Sequence, residues 1–237
     1  MTTEKRAELL AQCVTSEERE KTAQLIRPIL RGRDIRRWRA EWAGLWLVAT
    51  HNGILGKTPK VDLDEYPAVK RYLDQYWAQL APRTDQGGTP YHLRSCAYWN
   101  DFMKPKIVYT DIMSRGEKED FPAFAYDEKG HVLMNTSYFL SSDTEDLRYT
   151  LGVLNSKVGD FIIQHFVVQL GNSGYRLFSQ YITLFPIVHH PPQEKPITDL
   201  VGQLLAAPTP EKERALNALV CEAYGLTDQE REYIEAL

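Results

Sequence analysis

The residues best equipped for chemistry are arginines. Between Arg27 and Arg39 the chain carries Arg27, Arg31, Arg33, Arg36, Arg37 and Arg39 against a single acid, Asp34. A planar guanidinium grips phosphate oxygens in pairs and can face guanine O6 and N7, so this density suits a polyanion. It equally suits a solvated basic face, or ion pairs with the acid-rich tail after Gln193, and composition leaves both open. Asp34 would orient Arg33 or Arg37. A second group, PYHLRSCAYWNDFMKPKIVY, interleaves Arg94, Lys104 and Lys106 with Tyr91, Tyr98 and Trp99. Cations among aromatic rings suit nucleic acid, where bases stack and phosphates pair, but the rings would also serve as core with the cations at their rim. The third is GNSGYRLFSQY, in which Asn172, Ser173 and backbone N–H groups precede Tyr175 and Arg176. That pattern makes a phosphate cradle or an ordinary loop.

Other chemistries lack their residue patterns. No G-x-G-x-x-G follows a strand, and there is no Walker lysine loop, G-x-S-x-G elbow or H-E-x-x-H, so nucleotide hydrolysis, serine hydrolysis and zinc proteolysis are not expected. Asp111, Glu117 and Lys118 are close enough for a magnesium nuclease, but Ser114-Arg115-Gly116 reads as a turn between them. His189 and His190 are adjacent, which on an extended segment aims them to opposite sides, and no third ligand is evident. His51, His92, His131 and His165 are scattered and read as hydrogen-bonded structural side chains. Cys13, Cys96 and Cys221 form no C-x-x-C pair, so neither disulfides nor a zinc site is expected. No metal site is therefore assigned. Trp38, Trp42 and Trp46 recur at helical spacing, but Gly44 and the run after it favour core packing over a stacking stripe.

The elements that must hold these groups follow from periodicity. Thr3 to Ile26 reads as an amphipathic lead-in broken near Thr15-Ser16 and ended by Arg27-Pro28. Trp46 to Thr50 is a strand, and His51-Asn52-Gly53 a turn. Pro67 to Leu80 is predicted as a helix with Val69, Leu73, Tyr76, Trp77 and Leu80 on one face. Pro105–Thr110, Phe121–Tyr126 and His131–Met134 read as strands, the last two flanking a hairpin turn at residues 127–130. Ser142 to Glu145 reads as a capping box opening a helix through LRYTLGVLNS. KVGDFIIQHFVVQL is left between helix and buried strand. The segments after His189-His190-Pro191-Pro192 are helical, with a second capping box at Thr227–Glu230.

At 237 residues the chain suits one or two domains. Its hydrophobic content of 43% and charged content of 25% suit a folded chain, and a mean hydropathy of −0.42 argues against a membrane protein. No apolar run spans a bilayer and the start is too charged for a secretory signal, so a cytoplasmic protein is expected. Net charge is −4, which speaks weakly against a phosphate-rich partner, except that the charge is unevenly distributed.

Five blocks in order carry a resemblance: RPILRGRDIRRW, WLVATHNG, YHLRSCAYWNDFMKPKIVY, YFLSSDTEDLRYTLGVLNSKVGDFI and LNALVCEAYGLTDQEREYIE. Together they resemble the TaqI-like specificity domain. That domain is the C-terminal target-recognition part of many N6-adenine DNA methyltransferases and type IIG restriction–modification enzymes, and is similar to the recognition domains of type I specificity subunits. The resemblance implies an α/β (α+β) fold, a curved and mainly antiparallel sheet with flanking helices plus a C-terminal helical element. It divides the chain into a helical linker at residues 1–26, a target-recognition domain at 27–192 and a helical element at 193–237.

The same resemblance implies a non-catalytic module that reads double-stranded DNA beside a methyltransferase or nuclease domain. The glycine-rich S-adenosylmethionine loop and the N-P-P-Y-type motif of a complete methyltransferase are missing from this sequence. S-adenosylmethionine and Mg2+ are accordingly expected in the catalytic domains. Arg31, Arg33, Arg36 and Arg37 would neutralise phosphates, and Asn172, Ser173 and Arg176 would hold the backbone from the other side. Arg83, Gln86, His92 and Arg94 would read bases. The alternative is an adaptor that docks on a methyltransferase without binding DNA alone.

Overall fold

The computed structural model describes residues 1–115, 121–172 and 174–236. It is an α/β fold of short strands and packed helices. Ile26–Leu30 with Trp46–Val48, Gly174–Arg176 with Ile112–Ser114 and Val168–Leu170, and Lys106–Thr110 with Ala125–Asp127 and Ser137–Ser141 pair antiparallel, whereas Trp38–Arg39 runs parallel to Ala125–Asp127. The chain forms two compact units, Met1–Ile29 with Trp42–Met103, and Leu30–Glu41 with Lys104–Leu237. The bounds of these units differ from the expected division into a linker at residues 1–26, a recognition domain at 27–192 and a helical element at 193–237.

The first unit opens with helices Thr3–Ala11 and Ser16–Leu25, separated where the sequence breaks. Each begins on a threonine: the Thr2 and Thr15 hydroxyls accept the Lys5 and Glu18 N–H groups, filling donors a helix start leaves open. Ile26 to Pro28 pair antiparallel with Trp46 to Val48. Leu9, Leu25, Ile26, Leu63, Ala68, Val69 and Leu73 close the core. Helix Pro67–Asp74 starts with proline at its first turn, where no N–H is needed. It stops at Gln75, and Trp77–Leu80 is a separate short helix. Tyr76 and Trp77 are therefore exposed rather than on the buried face that a continuous helix would give them.

In the second unit Lys106–Thr110 lies between Ala125–Asp127 and Ser137–Ser141, with Trp38–Arg39 on the outer side of Ala125–Asp127. Ile112–Ser114, Gly174–Arg176 and Val168–Leu170 form a second small sheet. Helices Arg148–Asn155 and Lys157–Phe166 share one core with Pro191–Ala206, Pro210–Ala223 and Asp228–Glu235. Gly152 permits the close approach: a Cβ there would sit 2.8 Å from Val201 Cγ2.

Three expectations change here. The turn at Asp127 to Gly130 does not join a paired hairpin, because the Asp127 carboxylate takes the Lys129 and His131 N–H groups that a ladder would use. Ser142 does accept the Glu145 N–H, but it closes an isolated turn and the helix starts at Arg148. The ambiguous run from Lys157 is a helix to Phe166, and the short strand that follows from Val168 is exposed rather than buried.

Candidate nucleic-acid interface

The clearest site geometry lies in the first unit, where two loops are tied together at Asn52. Its Oδ1 accepts the Gly88 N–H at 2.7 Å, and its Nδ2 donates to Ser95 Oγ at 3.4 Å. Gly87 and Gly88 are needed there, since a Cβ at Gly87 would come within 2.8 Å of the Asn52 side chain. His51 completes the corner: Nδ1 accepts the Gly53 N–H at 3.2 Å. Burial, and then His92 nearby, push the His51 pKa down, which keeps that nitrogen an acceptor. Gly53 has φ +74, and a Cβ would strike Lys60 N at 2.6 Å, so the returning strand of the loop lies directly against it. The loop 53–60 with Asn52 and Ser95 lines a groove of about 580 Å³. Lys57, Lys60 and Arg94 are exposed, and their side chains have no hydrogen bond or ion pair among the described residues.

The four residues assigned to base reading divide. Arg94 is free, as above. Arg83 donates to the His92 carbonyl and pairs with Asp85 at 3.3 Å. Gln86 bridges to Leu93, and its Oε1 is buried without a hydrogen-bond partner among the described residues. His92 is buried, with Nδ1 2.6 Å from Thr89 Oγ1 and Nε2 2.8 Å from Val61 O. Both ring nitrogens are used inside the unit, which assigns His92 to the fold rather than to a DNA surface.

The arginine cluster of the second unit is also sorted by partners. Arg31 grips Asp34 with Nε and Nη2, the shorter contact being 2.6 Å, and its own N–H bonds the same carboxylate. Burial would raise the Asp34 pKa, but these bonds outweigh it and hold it low. Asp34 thus orients Arg31, not Arg33 or Arg37. Arg37 donates to Glu213 from Nε and Nη2 and to the Pro122 carbonyl from Nη1, with only 10% of its side chain exposed. This is the ion pair with the acid-rich tail, and it removes Arg37 from the phosphate-binding set. Arg36 and Arg39 share Glu41 at the surface. Arg33 is exposed and has no hydrogen bond or ion pair among the described residues.

Lys104 pairs with Asp143 at 2.6 Å. Lys106 is fully buried, its Nζ 2.5 Å from Asp127, whose other oxygen faces His131 Nδ1 at 2.7 Å. A buried ammonium held this way cannot meet a phosphate, so Lys106 is a core residue. Tyr175 is buried against Phe121, which likewise removes it from the interface. Asn172 is exposed, and Arg176 lies over the Phe178 ring at 5.2 Å. Ser173, Glu117 and Lys118 lie outside the described residues. His189 stacks on Tyr149 and faces Glu194, and no group of three metal-binding side chains occurs among the described residues. No described helix is long and apolar enough to cross a membrane.

Asn52, Leu55, Lys57 and Lys60 were not singled out by residue type. The turn signal His51-Asn52-Gly53 was the available clue, but isolated lysines in a loop form no cluster that a sequence scan would register.

These features and the comparisons put the chain among the specificity domains of restriction–modification proteins. It belongs to the TaqI-like C-terminal specificity domain family, whose pattern matches residues 27–187. It is also similar to type II methyltransferase M.PaeR7I of Pseudomonas aeruginosa, with 24% identity over 213 residues. That match covers 86% of this chain and 34% of the methyltransferase, so the chain spans about a third of that relative's length.

Proposed function

We propose that this chain is the sequence-reading module for double-stranded DNA in a restriction–modification system, and that it has no catalytic centre of its own. The observation that carries the reading is the pair of loops joined at Asn52, which presents the side chains of Lys57, Lys60 and Arg94, without hydrogen-bond or ion-pair partners among the described residues, beside a groove. Unpaired cations on a fixed loop supply salt-dependent phosphate affinity, and an arginine among them can face guanine. Arg33 and Asn172 add exposed polar groups on the second unit. Methylation or cleavage would fall to a separate domain of the same or a partner chain, which would hold S-adenosylmethionine or Mg2+, acting on DNA in the cytoplasm.

A second reading, an adaptor for a methyltransferase, is favoured by one feature. Ile112 and Val168 are both exposed and flank Arg176 in register on the small sheet, two apolar side chains beside a cation. The test is selection from a randomised duplex library by fluorescence anisotropy at two salt concentrations. Enrichment of a discrete motif, weakened by salt and by Arg94→Ala, is the expected result. Salt-insensitive binding to a methyltransferase domain, with no duplex binding, would replace the first reading by the second.

A further inference from the structure

We propose that Leu55 is a wedge that enters the base stack of the bound duplex and opens one step, an inference that rests on the DNA-reading function above. Leu55 is the most exposed large apolar side chain among the described residues, at 104% of its reference surface. A leucine so placed gains nothing for the folded chain, since its burial energy is left unused. It stands on a stiff support. Ile54 N–H donates to Thr58 O at 2.8 Å, Thr58 N–H returns to Ile54 O at 2.9 Å, and Lys57 N–H adds a bond to Ile54 O at 3.0 Å. Three residues, Leu55, Gly56 and Lys57, are left at the tip, with Gly56 at φ +73 making the reversal. The base of the turn is locked in its own right, because Gly53 lies against Lys60 and Thr58 too closely for any side chain.

The charge around the tip selects the occupant. Lys57 follows Leu55 by two residues and Lys60 by five, and both are exposed and unpaired among the described residues. Protein interfaces have cores depleted in lysine, whereas an apolar tip flanked by cations fits a groove walled by phosphates. Leucine is among the side chains that architectural proteins push between base pairs, and the flexible pyrimidine–purine steps open at least cost. The lysines would hold the two backbones while the leucine occupies the opened step. The adjoining loop, through Asn52 and Ser95, would keep Arg94 in register with it.

The experiment uses duplexes of the selected sequence carrying 2-aminopurine at one position at a time, whose fluorescence rises when the base unstacks. The full chain should raise fluorescence at a single step. Leu55→Ala should lose most of that rise while still binding duplex with the same salt dependence, and Leu55→Phe should restore it. Lys57→Ala/Lys60→Ala should lower the salt slope by about 2 and keep the rise at saturating protein. Duplex binding without a rise at any position, or a rise untouched by Leu55→Ala, overturns the wedge and leaves the DNA-reading function standing. Sensitivity to thymine→uracil exchange without unstacking also overturns it, making Leu55 a contact to a thymine methyl group. Absence of duplex binding at low salt overturns both proposals together.

Discussion

Lys106, Asp127 and His131 put ionisable groups where a protein interior tolerates them only as a set. Asp127 has two cationic or polar side chains and two backbone N–H groups around one carboxylate. Burial alone would raise its pKa, but hydrogen bonds from His131 and Lys106 pull it down to about 2. Burial lowers the Lys106 pKa, and Asp127 partly restores it. Asp127→Asn should therefore cost about 3–5 kcal/mol in urea unfolding, because the lysine is left buried without its counter-charge. Lys106→Met together with Asp127→Asn should recover much of the loss, a coupling that a double-mutant cycle would read. The pH dependence has a definite sign. A carboxylate whose folded pKa lies below the unfolded value of about 4 contributes stability above that value and loses it as pH falls toward 2. Asp127 contributes its share of this acid limb beside Asp34 and Asp146, whose pKa values are also held low by their arginine partners. Asp127 should account for about 2–3 kcal/mol of the fall in stability that urea midpoints show between about pH 5 and pH 2, and Asp127→Asn should make this limb shallower by that amount. None of this was legible at Lys106, which the sequence shows as one cation among aromatics. Its partner lies 21 positions away, and residue type carries no sign of which face of a strand another strand will cover.

Elements explain the arginines better than residue types do. Trp38 has φ +72, a left-handed conformation that costs a bulky residue strain and persists only where the surroundings fix it. Here they do. Its N–H donates to Phe124 O, its indole Nε1 donates to Glu213 Oε1 at 2.7 Å, and neighbouring Arg37 holds both oxygens of Glu213. The helix Pro210–Ala223 thereby fixes the segment that carries Arg36 and Arg39 at the surface. Arg37→Ala should lower stability by about 1.5–3 kcal/mol, the usual worth of bonds to a charged group, and leave the salt slope of DNA binding nearly unchanged. Arg33→Ala should do the reverse, leaving the urea midpoint in place and reducing the slope by about 1. Equal effects of the two on the slope would return Arg37 to the phosphate contacts. At this scale the sequence was informative wherever a local rule decided. The break at Thr15, proline opening the helix at Pro67 and the capping box at Thr227, where Glu230 takes the Thr227 N–H at 2.8 Å, are set by neighbours within four residues. Ser142 carries the same signature without the helix, and Gln75 ends a helix whose periodicity continues through Leu80, because packing beyond the segment decides both.

Over the whole molecule the acidity is local. Residues 193–237 hold nine acids and four bases, a net charge of −5, so the other 192 residues carry +1 within the total of −4. An overall pI of about 5.9 thus hides a slightly basic body, which is the part that holds every cation assigned to DNA. Removing the acidic helices would take away five net negative charges, but their apolar faces are not accessory. Ile197, Val201, Leu204, Leu216 and Val220 are fully buried in one core with Leu151, Val153 and Ile163. Burying a large aliphatic side chain is worth about 1.5–3 kcal/mol, so five such losses are as large as the whole stability of an ordinary domain. A chain ending at His190 should therefore fail to fold cooperatively, shown by loss of near-ultraviolet dichroism and by rapid proteolysis of the second unit. Charge can be changed without that cost at exposed positions: Glu222→Gln/Glu232→Gln leaves the core intact, since both carboxylates face solvent. This variant should keep the native urea midpoint and bind duplex more tightly at low salt, with the gain shrinking as salt approaches physiological strength, where the screening length is about 8 Å. A gain that persists at high salt would mean that these acids touch the duplex or its ligands directly instead of acting through the long-range field.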